Sequence, residues 1–253
     1  MKVMMKDALR VELYDSRAEM GLAAGNAAAE KIRELLEKKE QVNVIFAAAP
    51  SQNEMLEALI AAPGIDWSRV NAFHMDEYVG LPEGAPQAFG NFLKEHIFGR
   101  LPFGRVEYID GHTKDGDAEC ARYAALLEEY PTDVVSMGIG ENGHIAFNDP
   151  HVAFFDDPAA VKLVELDNVC RQQQVNDGCF AALEDVPTHA YTLTIPTLVR
   201  APWLFCTVPA ATKAEAVKNT VLGPVSERCP ASILRTRPNA VLFCDPDSGR
   251  YLV

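Results

Sequence analysis

Two short stretches of the chain hold side chains able to move protons. The first is Phe73-His74-Met75-Asp76-Glu77-Tyr78-Val79-Gly80-Leu81, where an apolar run meets two acids. A carboxyl at the end of a buried strand is partly desolvated, so its pKa climbs toward neutrality and it can serve as a base. The bland alternative is that Asp76 and Glu77 open a loop and face water. The second stretch is Met137-Gly138-Ile139-Gly140-Glu141-Asn142-Gly143-His144-Ile145-Ala146-Phe147-Asn148-Asp149-Pro150. Its glycines let backbone come close to a ligand and adopt positive φ. Histidine titrates near neutrality and shuttles protons, and Asp149, a few residues on, can orient the His144 imidazole. The glycine spacing is wrong for a dinucleotide fingerprint, and no helix opens there.

Both stretches sit where strand patterns end. Residues 17–38 read as an amphipathic helix, with Met20, Ala24, Ala28, Ile32 and Leu35 at helical spacing and Asp15 or Ser16 as its cap. The forty or so residues ahead of the first strand read as this one helix. Val42 to Ala49 is a buried-strand run that breaks at Pro50-Ser51, with a helix resuming at Met55. Further strands are read at 70–75, 106–109, 132–137, 190–195, 203–208 and 240–244, and helices at 86–98, 115–129 and 213–221. This alternation predicts an α/β fold, a doubly wound and mostly parallel Rossmann-like sheet with helices on both faces. One domain, 1–253, is the simplest organisation, with an irregular lid at about 149–188. Ligands of such sheets bind beyond the C-terminal ends of the strands, where both motifs fall.

Composition narrows the function. The chain has 253 residues, is 48% hydrophobic and carries a formal charge of −13, which disfavours nucleic acid or an anionic membrane as partner. No run of apolar residues is long enough for a membrane span, and Met1 to Val11 mixes Lys, Asp and Arg among its apolar residues, unlike a secretory signal. A cytoplasmic location is expected. Six cysteines without CxxC or Cys/His zinc spacing predict reduced thiols and no metal site.

Taken together, MDEYVGL at 75–81 and GIGENGHIAFNDP at 138–150 resemble the glucosamine-6-phosphate deaminase family, which carries MDEY-VGL and G-x-G-x-[DN]-G-H-I-[AG]-F-N-E-P. Weaker echoes are Val186-Pro187, Lys213 to Val217 and Cys229-Pro230-Ala231-Ser232. The resemblance implies that Asp76 carries a proton from C2 to C1 of an opened amino-sugar phosphate. It also implies that His144, oriented by Asn142 and Asp149, opens the ring. The products would be a ketose phosphate and ammonia, with no metal or organic cofactor. Gly140 and Gly143, with Ser51, Gln52, Arg171 and Lys213, are the candidate substrate and phosphate contacts. A homo-oligomer is left open.

The departures are specific. Asp149 stands for the family's Glu and is one methylene shorter. Ala49-Pro50-Ser51-Gln52-Asn53-Glu54 replaces a Thr-Gly-Gly/Ser-Thr-Pro phosphate loop, and Glu54 brings negative charge. Asn176 aligns with the family's phosphate-gripping lid arginine, Arg171 with a different one, and Lys213 with the second phosphate ligand. The chain lacks the longer C-terminal segment of the allosteric relatives, so effector control is not expected. Two rival readings are 6-phosphogluconolactonase, whose residues after the motif histidine differ, and a non-catalytic sugar-phosphate sensor.

Overall fold

The computed structural model describes residues 1–252. Its main sheet has eight strands: β1 (Lys2–Lys6), β2 (Leu9–Leu13), β3 (Val42–Phe46), β4 (Val70–His74), β6 (Arg105–Glu107), β7 (Val134–Met137), β10 (Trp203–Val208) and β11 (Ala240–Cys244), in the order β1-β2-β11-β10-β7-β3-β4-β6. Every pairing is parallel except β1 with β2. Strands buried on both faces read as continuous apolar runs, and β3, β4 and β7 are buried at every position.

Alternate strand residues feed two cores. Ile45, Phe73 and Val135 pack with Tyr123 and Leu127 of α4 (Gly116–Glu129), Leu198 of α6 (Ile195–Val199) and Val217 of α7 (Ala214–Leu222). Val44, Phe46 and Ala72 pack with Met20, Ala24 and Ile32 of α1 (Arg17–Leu36) and Met55 and Leu59 of α2 (Asn53–Ala61). Helices thus cover both faces, as the alternation predicts. Gly25 makes the α1–α2 contact close, since a Cβ there would stand 2.6 Å from the Ala58 Cβ and the Met55 carbonyl oxygen.

Three expectations are corrected. The residues before Val42 are not one helix: the β1–β2 hairpin precedes α1, turning at Asp7, whose φ is +51°. Leu9, Val11 and Leu13 alternate with Arg10 and Glu12, the period of a strand. Second, His189–Leu193, here β9, leaves the parallel sheet. It forms a three-stranded antiparallel sheet, β5-β9-β8, with β5 (Asp76–Tyr78) and β8 (Val161–Glu165). Third, the lid is less irregular than its composition suggests. It contains β8 and the helix α5 (Asn168–Asn176), capped by Asp167, whose side chain accepts from the Cys170 N–H. The short helix α3 (Phe89–Leu93) continues as a π-turn through Phe98.

Strand order runs outward in two directions, from β3 through β4 to β6 and from β7 through β10 to β11. The order therefore reverses between β3 and β7. A crevice opens at such a reversal, beyond the carboxyl ends of the strands.

Candidate active site

The chain leaves four neighbouring strands at that crevice. From β3 come Ala47 to Gln52, from β4 Met75 and Asp76, from β7 Gly138 to His144, and after β10 comes Lys213. Ser51, Gln52, Asp76, Gly140, His144 and Lys213 line one cleft of about 530 Å³, its open mouth included. Gln173, Gln174 and Asp177 of the lid and the rings of Phe89 and Phe147 complete the wall. Phe89 and Phe147 stack at 5.4 Å.

The two acids of the first motif have different fates. Glu77 is tied down: its Oε1 accepts from the Tyr78 and Phe89 N–H groups and its Oε2 from Gly90, which anchors the start of α3. Asp76 forms no such bonds and faces the cleft, 6% exposed. Burial, and then the charge of Glu77, push its carboxyl well above the usual carboxylate range. The neighbouring His74 is a buried structural group. Its Nε2 accepts from the Ile109 N–H at 2.9 Å, and burial lowers its pKa to about 4, so it stays neutral.

His144 is held from behind. Its Nδ1 lies 2.8 Å from Asn142 Oδ1 and 3.1 Å from Asp149 Oδ1. The Asn142 amide is oriented by its own bonds, because Oδ1 also accepts from the His144 backbone N–H and Nδ2 donates to Asp149 Oδ1 at 2.9 Å. Two acceptors at Nδ1 place the proton there, leaving Nε2 as the nitrogen free to exchange one. Asp149 is wholly buried. Burial raises its pKa, but the His144 hydrogen bond and charge, with Asn142 and the Asp167 N–H, outweigh this and hold it below the usual range. The shorter side chain thus reaches the imidazole directly. Gly140 gives the ring its place: a Cβ there would lie 2.1–2.4 Å from three His144 ring atoms. Asn148 secures the loop by donating to the Ile145 and Leu193 carbonyls. His144, Asp149 and Cys170 offer ligand atoms within 4.8 Å of one another, a spacing able to hold an ion. The His144–Asp149 hydrogen bond fills part of that space.

Lys213, 5% exposed, lines the same cleft. Among the described residues the lysines in ion pairs are Lys31, Lys39, Lys162 and Lys218, and Lys213 is not one of them. Burial lowers its pKa, and Asp177 and Glu141 oppose that. A buried ammonium with no ion-pair partner among the described residues, in one cleft with the Ser51 hydroxyl and the start of the 50–61 helical stretch, is suited to an anion. Glu54 does not spoil this, because Arg17 neutralises it with bonds of 2.7 and 3.0 Å and also donates to the Pro50 carbonyl.

Two candidates lie elsewhere. Arg171 spends its guanidinium on the Leu183 and Val186 carbonyls and Asn168 Oδ1, buckling the lid rather than lining the cleft. Gly143, at φ +85°, lets the loop turn against Cys229 and does not line the cleft either. Asn142 and Asp149 act behind His144. Asn176 is exposed, its Oδ1 accepting from Gln172. Sequence reasoning missed Asp177, the residue that closes α5, four beyond Gln173 and lining the same cleft, and it missed Arg17 as the partner of Glu54.

The fold and the site define an α/β protein with a cleft at its switch point lined by a carboxyl, an imidazole and an ammonium. The chain belongs to the family of glucosamine-6-phosphate isomerases and 6-phosphogluconolactonases, whose model matches residues 15–243. It is 34% identical over 229 residues to a glucosamine-6-phosphate deaminase of Listeria monocytogenes serotype 4a (strain HCC23), covering 89% of this chain and 96% of the relative. A glucosamine-6-phosphate deaminase of Bacillus cereus (strain G9842) is 38% identical over 184 residues, 73% of this chain and 68% of the relative. Among solved structures, a monomeric glucosamine-6-phosphate deaminase, described as a missing link of the NagB superfamily, superposes with a TM-score of 0.86 at 26% identity, covering 95% of this chain and 98% of the other. The 6-phosphogluconolactonase of Thermotoga maritima has a TM-score of 0.76 at 19% identity, covering 93% and 98%, a likeness of fold alone. No helix of the described residues is long and apolar enough to cross a membrane.

Proposed function

We propose that the protein is an aldose–ketose isomerase that deaminates a 2-amino-2-deoxyhexose 6-phosphate. Glucosamine 6-phosphate is the first candidate substrate, and galactosamine 6-phosphate is the epimeric alternative. The observation that carries this reading is that the Asp76 carboxyl and the His144 imidazole line one cleft with the buried ammonium of Lys213.

The chemistry follows from those positions. His144 Nε2 exchanges a proton with the ring oxygen and opens the pyranose, while Asn142 and Asp149 hold the Nδ1–H. Asp76 takes the proton from C2, which is acidified by the adjacent C1 carbonyl, and the enolamine forms. The same carboxyl returns that proton at C1. Water then replaces nitrogen at C2, and ammonia leaves with a ketohexose 6-phosphate as the other product. Lys213, Ser51 and the backbone N–H groups after Ala49 receive the phosphate. One base over two adjacent carbons suffices because both lie within reach of one carboxyl. An oriented acid–base group contributes about 10²–10⁴-fold.

The test is ammonia release from glucosamine 6-phosphate together with exchange of its C2 hydrogen in deuterated water. Asp76→Asn is expected to lose both by at least about 10²-fold while still binding sugar phosphate. Comparable turnover in that variant would remove Asp76 as the base. Hydrolysis of 6-phosphogluconolactone without ammonia release from amino sugars would favour the lactonase branch of the family.

A further inference from the structure

The cleft holds more acceptors than a fully ionised phosphate would welcome. Lys213 is its one cation among the lining residues, and Asp177 lines the same cleft from the exposed rim of the lid. Asp177 is held in place: its backbone N–H donates to the Gln173 carbonyl, and its Oδ2 accepts from Gln173 Nε2 at 3.3 Å. Gln173 Oε1 in turn accepts from the Glu141 N–H at 2.8 Å, which links this acid to the loop that carries His144. A carboxylate at the C-terminal end of α5 opposes the helix dipole, so local helix energetics do not account for it.

A second acceptor points the same way. Gln52 is fully buried, and its Nε2 donates to Ser51 Oγ at 3.1 Å and to the Thr207 carbonyl at 3.2 Å. The carbonyl fixes which end of the amide is nitrogen. Oε1, buried and without a partner, is therefore an acceptor in need of a donor. A phosphate dianion offers acceptors only. A phosphate monoanion offers one O–H.

Resting on the sugar-phosphate reading above, we propose that Asp177 is a specificity-determining residue that makes this cleft take its substrate as the phosphate monoanion, the P–O–H donating to the Asp177 carboxylate while Lys213 holds the remaining charge. The charged and titratable groups facing this arrangement are Lys213 from the turn before α7, Glu141 and His144 from the loop after β7, Asp76 after β4, and Cys170 and Cys179 from the lid.

The experiment measures binding of inorganic phosphate by calorimetry, and KM for glucosamine 6-phosphate, at pH 6 and pH 8. It compares the full-length protein with Asp177→Asn and Asp177→Ser. For the sugar phosphate, a monoester with a second pKa near 6, the monoanion share falls about 50-fold across this interval, and for inorganic phosphate, whose second pKa is about one unit higher, it falls about 10-fold; wild-type affinity is expected to fall with each. Asp177→Asn is expected to change less than about 5-fold and to bind phosphate about tenfold more tightly than wild type at pH 8, since it removes a like charge and its amide adds an N–H donor. Asp177→Ser is expected to share the tighter binding at pH 8. Weaker binding by both variants at pH 8 would overturn the proposal, because it would mean that Asp177 serves to keep Lys213 charged. An unchanged pH dependence would overturn it as well. If wild type and variants bind neither phosphate nor sugar phosphate at either pH, the sugar-phosphate reading itself fails, and a loss confined to the variants is thereby told apart.

Discussion

Asp76 and Glu77 are adjacent, both acidic and both buried, yet only one is available for chemistry. Three backbone donors consume Glu77, and none meets Asp76. The folded protein therefore keeps a poorly solvated carboxyl whose pKa stands well above its unfolded value of ~3.9. The folded state binds the extra proton, so its stability is full below the unfolded pKa and declines as pH rises through the folded one. Asp76→Asn removes that decline. Its melting temperature is expected to exceed wild type at pH 7, with the gap narrowing toward pH 4 in calorimetric scans. A gap that widens on acidification would contradict this account. In the sequence, Asp76 and His144 could be read directly because strand ends and glycines advertise them. Which of two neighbouring acids is free could not, since that depends on Phe89 and Gly90 folding back onto Glu77.

At the scale of elements, the strand–helix alternation was legible from apolar periodicity, and the last strand falls at 240–244 as expected. The small antiparallel sheet was not. Its strand Asp76–Tyr78 is three residues long and directly follows β4, so its pattern merges with that of its neighbour. Arg171 shows a related limit: a cation on a polar helix looks like a ligand contact until its carbonyl partners are seen. With its guanidinium bonded to Leu183 and Val186, Arg171→Ala is expected to cost about 1.5–3 kcal/mol in local lid stability. Limited proteolysis should then cut faster between residues 177 and 188, and KM should rise several-fold more than kcat falls. Arg171→Lys should recover little, because an ammonium cannot reproduce the planar fork that spans both carbonyls. Proteolysis at the wild-type rate would show that the lid is anchored by other contacts.

For the whole molecule, the charge of −13 does not describe the cleft, where a buried lysine faces Asp177 and Glu54 is neutralised by Arg17. The thiols follow the sequence expectation, since all six cysteines are free. Burial raises the pKa of every one, so little thiolate is present at neutral pH. The native protein should react slowly with a thiol reagent at pH 7.5, with six equivalents appearing only on denaturation, and reductant should leave its melting temperature unchanged. A fast-reacting native thiol would contradict the burial described. The sheet also joins residues 10–13 to residues 241–244 along β2 and β11. During translation this seam cannot close until the ribosome has released its last strand, more than two hundred residues after the first was made. Until then the hairpin waits without its partner and β10 exposes an open edge, so nascent chains stalled or cleaved short of Ala240 are the species most prone to associate with one another.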